Sequence, residues 1–278
     1  MVARPPRLQI PNGIYHLTAR GNERRRIYRD DVDRHRFLEL LAKLVKGYRW
    51  RILCYCLLGN HYHLLVQTPE PNVAHGMRQL NGVYAQWFNR RHARVGHLFQ
   101  GRYSARLIQA DEHLLAVARY IVINPVRAGL CRGPCEWRWS SHRATLGQQS
   151  AWFHDANALL LHYAPTREVA RERYRAHTEQ ADRDERSAHS LIDGDELFIA
   201  STLDGLTPVA GIPHHYFAGP RPPLHSTLAS TDVDAIARAH ECGYSLREIA
   251  RHLGVNASTV SRRLSRQRAQ SRTATSET

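Results

Sequence analysis

Two histidines in one apolar stretch have the type and spacing of a pair that could do chemistry. His61 and His63 stand two residues apart in LLGNHYHLLV, residues 57–66. Side chains at i and i+2 of a β-strand point to the same face, so both imidazoles would face one way and Tyr62 the other. Such a pair occurs as packing, as a metal site or as part of a catalytic centre, and imidazole is a common metal ligand.

A tyrosine and an asparagine further along the chain supply what the histidines lack. Tyr120 and Asn124 are four residues apart in a helical pattern, so they share one helical face. Two imidazoles and an amide oxygen would form an open site for Mg²⁺ or Mn²⁺. A tyrosine hydroxyl, with an ordinary pKa of about 10, needs a phosphate that a metal has polarised. Its attack would give a covalent phosphotyrosine, which keeps the bond energy for rejoining.

The composition of the chain favours a polyanionic partner. The 278 residues carry a formal charge of +14, and all but two of the 39 basic residues are arginine, whose planar fork suits phosphate. The five cysteines include no CxxC pair, which indicates reduced thiols in a cytosolic protein. No apolar run approaches the roughly 18 residues of a membrane span, so we expect a cytoplasmic protein without a membrane partner.

The hydrophobic patterns around the candidate residues predict an α+β domain over residues 1–148. The predicted order is β-α-β-β-α-β-α, with strands at 13–21, 50–58, 61–68 and 101–109 and helices at 30–48, 72–92 and 111–130. The first six elements match the ferredoxin-like split βαβ unit, a four-stranded antiparallel sheet with helices on one face. The other face would be open to a ligand. We expect the last helix to stop near Pro125.

The C-terminal part of the chain changes character. We interpret residues 149–204 as a helical connector and residues 205–230, rich in Pro, Gly and His, as a linker. Residues 231–272 hold three short helical patterns, with a capping box that begins at Ser245 and a turn at Gly254. This layout is typical of an all-α helix-turn-helix domain, and a plain three-helix bundle for packing or dimerisation is the alternative. The residues that a recognition helix would present to DNA are Ser258, Thr259, Arg262 and Arg263.

Several motifs in the first half of the chain resemble those of REP-associated tyrosine transposases, members of the single-tyrosine HUH endonucleases. The motifs, in chain order, are ARGNERRRIYRD, GNHYHLLV, GHLFQGRYSARLI and RYIVINPVRAGL. The likeness covers about residues 8–145. It implies an HUH nuclease core and metal-dependent cleavage of single-stranded DNA, with a 5′-phosphotyrosine and a free 3′-hydroxyl. It also implies recognition of a hairpin of the kind that REP elements form.

The resemblance also implies roles for individual residues. His61 and His63 would bind the metal, Tyr120 would be the nucleophile and Asn124 the third ligand. Tyr62 stands where these proteins often have an aliphatic residue, but strand alternation turns it away from the metal. The residues that we expect along a single-strand path, where cations follow the backbone and rings stack on bases, are Arg20, Asn22, Arg24, Arg25, Arg102, Tyr103 and Arg106. Arg127 would lie near the scissile phosphate or cap its helix.

Three functions compete for this sequence. The first is a transposase or endonuclease that cuts and rejoins single-stranded hairpin DNA, with added duplex binding by the C-terminal domain, as a monomer or a homodimer. The second is a catalytically silent helix-turn-helix regulator. The third is a metal hydrolase of a small substrate. The joint presence of the two histidines, the tyrosine and the asparagine favours the first over the second, while the charge and the C-terminal domain disfavour the third.

Overall fold

The computed structural model divides into two compact units, and each is described by itself. The larger unit is Arg7–Asp184, and the smaller one contains Glu185–Thr278 with Met1–Pro6. The residues that the structure describes are 8–110, 112–180, 192–204, 224–228, 233–241, 244 and 246–264. Three parts of the sequence prediction lie outside them, namely the cap at Ser245, most of the linker 205–230 and the end of the domain 231–272.

A mixed α/β fold with a mostly antiparallel sheet is confirmed. In the larger unit the strands are β1 (Gly13–Arg20), β2 (Arg51–Leu57), β3 (His61–Thr68) and β4 (Ser104–Ile108). Their order is β2-β3-β1-β4, and each neighbouring pair is antiparallel. The smaller unit contains a further short strand, β5 (Ile192–Asp193), so the predicted count of four strands is one too low. A strand of two residues has no alternating pattern from which it could be recognised.

Two long helices cover the face of the sheet on which Tyr62 lies. They are α1 (Asp31–Tyr48), whose N-cap Asp30 accepts a hydrogen bond from the Asp33 backbone, and α2 (Val73–Arg91). The ring of Phe37 on α1 lies 4.7 Å from that of Tyr62, centroid to centroid. The Tyr62 hydroxyl donates to Asn81 Oδ1 at 2.6 Å. Tyr62 therefore belongs to the packing layer, as the alternation of β3 predicted.

A third helix, α3 (Glu112–Arg127), packs on the opposite face. Leu65 of β3 shares a buried cluster with Val117 and Ile121 of α3. The prediction of an open face is therefore wrong in part, because α3 covers the apolar section of that face. The helix ends at Arg127, two residues beyond Pro125 and close to the predicted stop, although the proline removes one backbone hydrogen bond. A left-handed residue, Gly129 at φ +67°, follows the helix.

Three shorter helices complete the larger unit, namely α4 (His142–Thr145), α5 (Ala156–Leu160) and α6 (Arg167–Glu179). Although α6 falls in the segment that we interpreted as a connector, it buries Ala170 and Tyr174 in the same cluster as α3. Arg119 of α3 is buried too, and its guanidinium donates to the carbonyls of His177 and Gln180, each at 2.7 Å. Helix α3 is thus attached to the end of α6.

The smaller unit is helical apart from β5. It contains α7 (Glu196–Asp204), α8 (Leu224–Thr227), α9 (Val233–Glu241), α10 (Leu246–Leu253) and a helix over residues 257–264. Ile236, Ile249, Val260 and Leu264 form its core, and Gly254 makes the turn at φ +65°. This agrees with the predicted all-α domain and its turn at Gly254. No helix among the described segments of either unit is long and apolar enough to cross a membrane.

Candidate active site

Three histidines lie together on the face of the sheet that α3 covers. His61 and His63 follow the alternation of β3, and their ring centroids are 5.0 Å apart. On the neighbouring strand Arg20 pairs with His61, and Thr18 pairs with His63. His16, two residues before Thr18, therefore points to the same face, and its ring centroid lies 5.1 Å from that of His63.

Helix α3 brings a tyrosine against these histidines. The half-buried ring of Tyr120 meets that of His63 edge-on, with centroids 5.5 Å apart, and that of His16 at 6.0 Å. An apolar cluster packs α3 against β3, and this packing sets the distance between the Tyr120 ring and the histidine rings. The structure therefore brings together three of the four residues that the sequence singled out, namely His61, His63 and Tyr120.

Asn124 lies one helical turn beyond Tyr120 and is half-buried. Its side-chain Nδ2 donates to the Tyr120 carbonyl at 2.9 Å, so the amide is held against its own helix. An amide that donates through nitrogen keeps its oxygen available as an acceptor or as a metal ligand. Asn124 is thus held beside Tyr120, and its Oδ1 can still accept a hydrogen bond or bind a metal.

The hydrogen bonds of His61 decide which of its nitrogens a metal would use. His61 Nδ1 lies 2.6 Å from Asn60 Oδ1, and the same amide donates through Nδ2 to the Arg24 carbonyl at 2.9 Å. Because this second bond orients the amide, the atom that faces His61 is an oxygen and can only accept. His61 Nδ1 therefore carries the proton, and Nε2 keeps the lone pair that binds metals.

His63 carries an orphaned buried nitrogen. Its Nδ1 lies 2.9 Å from His16 Nε2, while its Nε2 is buried with no hydrogen-bond partner. A buried polar atom without a partner is rare and indicates a missing ligand or ion. Among the residues described, no three His, Cys, Asp or Glu side chains are arranged to hold a metal ion. A metal at the two strand histidines would therefore need amide, nucleic acid or water oxygens as its other ligands.

Burial keeps these imidazoles neutral. It lowers the pKa of His16 to about 3, with a smaller contribution from the Arg106 charge, and that of His61 to about 4, with a smaller contribution from Arg20. Burial also lowers the pKa of His63 well below its ordinary value. Neutral imidazole is the form that binds a metal, so the residues present fit a divalent ion in their charge state.

A cation lies over the tyrosine ring. The guanidinium carbon of Arg127 is 5.4 Å from the centroid of the Tyr120 ring, and the Arg127 side chain is exposed. Arg127 and Tyr120 are two helical turns apart on α3, which explains the contact. The structure thus places Arg127 beside the tyrosine, and its predicted position near a scissile phosphate stays a prediction.

The remaining candidate contacts of the larger unit lie at the margins of β1 and β4. Arg20, Arg24, Arg25 and Arg102 are exposed, and Asn22 and Arg106 are half-buried. Arg102 and Tyr103 were expected on the fourth strand but precede its first residue, Ser104. Tyr103 is only 7% exposed, so its ring packs inside the protein and offers no stacking surface in this conformation.

The candidate contacts of the smaller unit share one short helix, residues 257–264. Ser258 and Arg262 are exposed, whereas Thr259 and Arg263 are partly buried. The buried positions Val260 and Leu264 hold the helix against the core of this unit. One side of the helix therefore remains available for a partner.

Sequence reasoning missed two residues of the site. His16 was read only as part of a strand, and Asn60 only as part of a hairpin turn. The alternation of β1 shows which face His16 occupies, but its distance from His63 depends on the register between β1 and β3. No pattern in either strand alone reports that register.

Two parts of the chain match known protein families, and the chain resembles one curated protein and one solved structure. Residues 9–124 match the family model described as "Transposase IS200 like", and residues 225–267 match a helix-turn-helix domain. A curated protein of Haemophilus influenzae, named as a REP-associated tyrosine transposase, is 29% identical over 143 residues, which are 47% of this chain and 81% of that protein. A solved REP-associated tyrosine transposase bound to a REP hairpin matches at 17% identity and a TM-score of 0.45, over 55% of this chain and 97% of that one.

Proposed function

We infer from its IS200-like transposase domain, residues 9–124, that this chain cleaves and rejoins single-stranded DNA. The order β1-α1-β2-β3-α2-β4 supports a ferredoxin-like core of the HUH type. One observation carries the inference, namely the position of Tyr120, whose ring lies 5.5 Å from that of His63. The buried Nε2 of His63 has no hydrogen-bond partner, so the tyrosine lies next to a histidine with a nitrogen that could bind a ligand.

The residues that would hold a divalent metal are His61 and His63, each through Nε2, and Asn124 through Oδ1. Bound there, Mg²⁺ or Mn²⁺ would supply Lewis acidity to the scissile phosphate. The hydrogen bond from His61 to Asn60 orients the first of these rings. The bond from Asn124 to the Tyr120 carbonyl keeps the amide beside the nucleophile.

The reaction that we propose is an in-line substitution at phosphorus. The Tyr120 hydroxyl oxygen forms a bond to the phosphorus and loses its proton to solvent, while the bond from phosphorus to the 3′-oxygen breaks and that oxygen takes up a proton from solvent. The products are a 5′-phosphotyrosine and a strand with a free 3′-hydroxyl. Arg127 lies over the tyrosine ring and would stabilise the negative charge that develops on the phosphate oxygens. Attack by a 3′-hydroxyl on the phosphotyrosine reverses these steps, so rejoining consumes no nucleotide.

The substrate that we propose is a DNA hairpin with a single-stranded flank, similar to a REP element. The curated relative is named for an association with such elements, and its 29% identity covers most of that protein's length. Exposed Arg20 is the last residue of β1, and exposed Arg24 and Arg25 follow that strand. Arg25 forms an ion pair with Glu23 at 2.6 Å, which partly neutralises its charge. Cations in this position suit the backbone of a single strand that leads into the site.

The helix-turn-helix match supports a second role in duplex binding and also supports the alternative of a silent regulator. In the proposed enzyme, exposed Ser258 and Arg262 would contact the duplex, joined by the more buried Thr259 and Arg263. A regulator would need only these contacts and would form no covalent adduct. Adduct formation therefore separates the two functions.

The test is a labelled hairpin oligonucleotide with a single-stranded flank, incubated with the full chain and Mn²⁺ or Mg²⁺. We expect a covalent protein–DNA adduct on a denaturing gel. Tyr120→Phe should abolish the adduct and leave hairpin binding intact. Tyr62→Phe is the matched control, because the Tyr62 hydroxyl faces Asn81 on the other side of the sheet, and this variant should keep the adduct.

Two results would count against the proposal. An adduct formed by Tyr120→Phe would show that Tyr120 is not the nucleophile. A wild-type chain that binds hairpins of varied sequence but forms no adduct with either metal would favour the regulator.

A further inference from the structure

We propose that His16 is a positioning residue, which holds the His63 ring so that Nε2 of His63 is presented to the metal. His16 itself would not be a ligand. The inference rests on the proposed function, because it concerns the same metal site. It goes beyond that function because it assigns a role to a strand residue that neither the motif around the histidines nor the nucleophile helix contains.

The pairing of β1 with β3 places the two rings side by side. His16 pairs with Leu65 and Thr18 pairs with His63, so the two histidines are diagonal neighbours on one face. Their rings are nearly parallel, with an interplanar angle of 21°, and His16 Nε2 approaches His63 Nδ1 to 2.9 Å. This distance is that of a hydrogen bond, so one of the two nitrogens carries a proton.

Only one arrangement of that proton leaves His63 able to bind a metal. A neutral imidazole has one N–H donor and one acceptor nitrogen. If His63 Nδ1 donates to His16 Nε2, the buried Nε2 of His63 keeps its lone pair. If His16 donates instead, the same buried Nε2 carries a hydrogen and cannot coordinate. A metal at Nε2 therefore requires His16 to act as the acceptor.

The same bond excludes His16 from the set of ligands. In the required arrangement the lone pair of His16 Nε2 is used by His63, and the proton of His16 is on Nδ1. His16 thus corresponds to the outer partners that fix the orientation of ligating histidines in metal sites. Asn60 makes the equivalent contact with His61 at 2.6 Å, so both proposed ligands are held through Nδ1.

The test compares Mn²⁺ binding by the full wild-type chain with binding by His16→Met and His16→Gln. Methionine fills a similar volume without an acceptor at the position of Nε2, whereas the glutamine oxygen can reach that position and accept from His63. We expect His16→Met to bind Mn²⁺ about 10- to 100-fold more weakly. We expect His16→Gln to stay within about threefold of the wild type, because it restores the acceptor. His75→Met, at an exposed position of α2, is the matched control and should bind as the wild type does.

Free Mn²⁺ measured by electron paramagnetic resonance gives the affinity, and pulsed spectra of the bound ion count the coordinated histidine nitrogens. We expect two such nitrogens in the wild type and in both His16 variants. Wild-type affinity in a folded His16→Met variant would overturn the inference, as would equal weakening by methionine and glutamine. A nitrogen lost from the spectra of His16→Gln would make His16 a ligand and would also overturn it.

These results are distinguishable from a failure of the proposed function. If the inference alone is wrong, the wild type still binds Mn²⁺ through two histidines and still forms its adduct through Tyr120. If the wild type binds no Mn²⁺ through histidine nitrogen, the metal site itself is absent and the role of His16 falls with it.

Discussion

The ring of Tyr120 meets the ring of His63 edge-on at 5.5 Å, although one lies on α3 and the other on β3. Leu65, Val117 and Ile121 form the apolar contact between these two elements. The distance between the proposed nucleophile and the proposed ligand is therefore set by core packing. Because packed cores resist small displacements, the fold itself holds the two groups in this arrangement.

Arg127 is expected to act on the rate of adduct formation. Arg127→Met should lower the single-turnover rate about 10- to 100-fold and weaken hairpin binding much less, because the guanidinium would contact charge that develops in the transition state. Arg127→Lys should recover part of the rate, since a point charge replaces the planar fork only in part. Arg132→Met, at an exposed position after α3, is the control. An unchanged rate in Arg127→Met would contradict the role.

Arg262 is expected to act on duplex binding alone. Arg262→Ala should weaken duplex affinity and reduce the slope of affinity against salt by about one, because one phosphate contact is lost. Adduct formation on a hairpin with a single-stranded flank should be unchanged. Fluorescence anisotropy at several salt concentrations measures both quantities. Arg238→Ala, on the exposed side of α9, should have a smaller effect. An equal effect of the two variants would argue against a recognition role for the helix 257–264.

Two glycines of α2 should respond in opposite ways to alanine. A Cβ at Gly76 would collide with the ring of Trp50, which is fully buried, so Gly76→Ala should lower the free energy of unfolding by about 1–3 kcal/mol. A Cβ at Gly82 would meet nothing within 4 Å, so Gly82→Ala should raise the free energy of unfolding by about 0.5–1 kcal/mol through helix propensity. Urea denaturation measures both. A Gly76→Ala variant as stable as Gly82→Ala would show that Trp50 can move aside.

His142 should make the fold sensitive to acid. The side chain is fully buried beside the Tyr174 hydroxyl at 3.1 Å, and burial lowers its pKa to about 4, with a smaller contribution from the Arg175 charge. Between pH 6.5 and 4 the unfolded chain takes up a proton that the folded chain does not, so stability falls as the pH falls and is fully present above 6.5. His142→Gln should remove on the order of 2 kcal/mol of this pH dependence.

The measurement for His142 is the free energy of unfolding in urea at pH 7.5 and at pH 4.5. Wild type should lose more stability between the two than His142→Gln does. Equal losses of stability in the two proteins would mean that other groups account for the acid sensitivity, such as half-buried His154, whose pKa burial also lowers.

Much of the larger unit is predictable from sequence because its signals are local. A period of two placed Tyr62 opposite the histidine pair, and a period of 3.6 placed Tyr120 and Asn124 on one face of α3. The end of α3 was also predicted closely, since the helix stops at Arg127, two residues after Pro125.

What the sequence does not report is which elements meet. The contact of His16 with His63 depends on strand register, and the closure of α3 over β3 depends on a core assembled from several elements. The burial of Tyr103 was not predicted either, because an aromatic residue in a basic segment can be buried in the core or exposed for stacking on bases. The packing of α6 into the core was not predicted, because the helix is highly charged and only a narrow stripe of it is apolar.

The hydrogen bonds between Arg119 and the end of α6 limit how far the chain can be shortened from its C-terminal side. A chain cut at the edge of the transposase match, residue 124, would leave the Arg119 guanidinium without the His177 and Gln180 carbonyls. Leaving a buried hydrogen-bond donor without its acceptor typically costs about 1–3 kcal/mol, and here the loss would fall on the residue next to Tyr120. A fusion or truncation that keeps these two hydrogen bonds of α3 therefore needs its junction beyond Gln180.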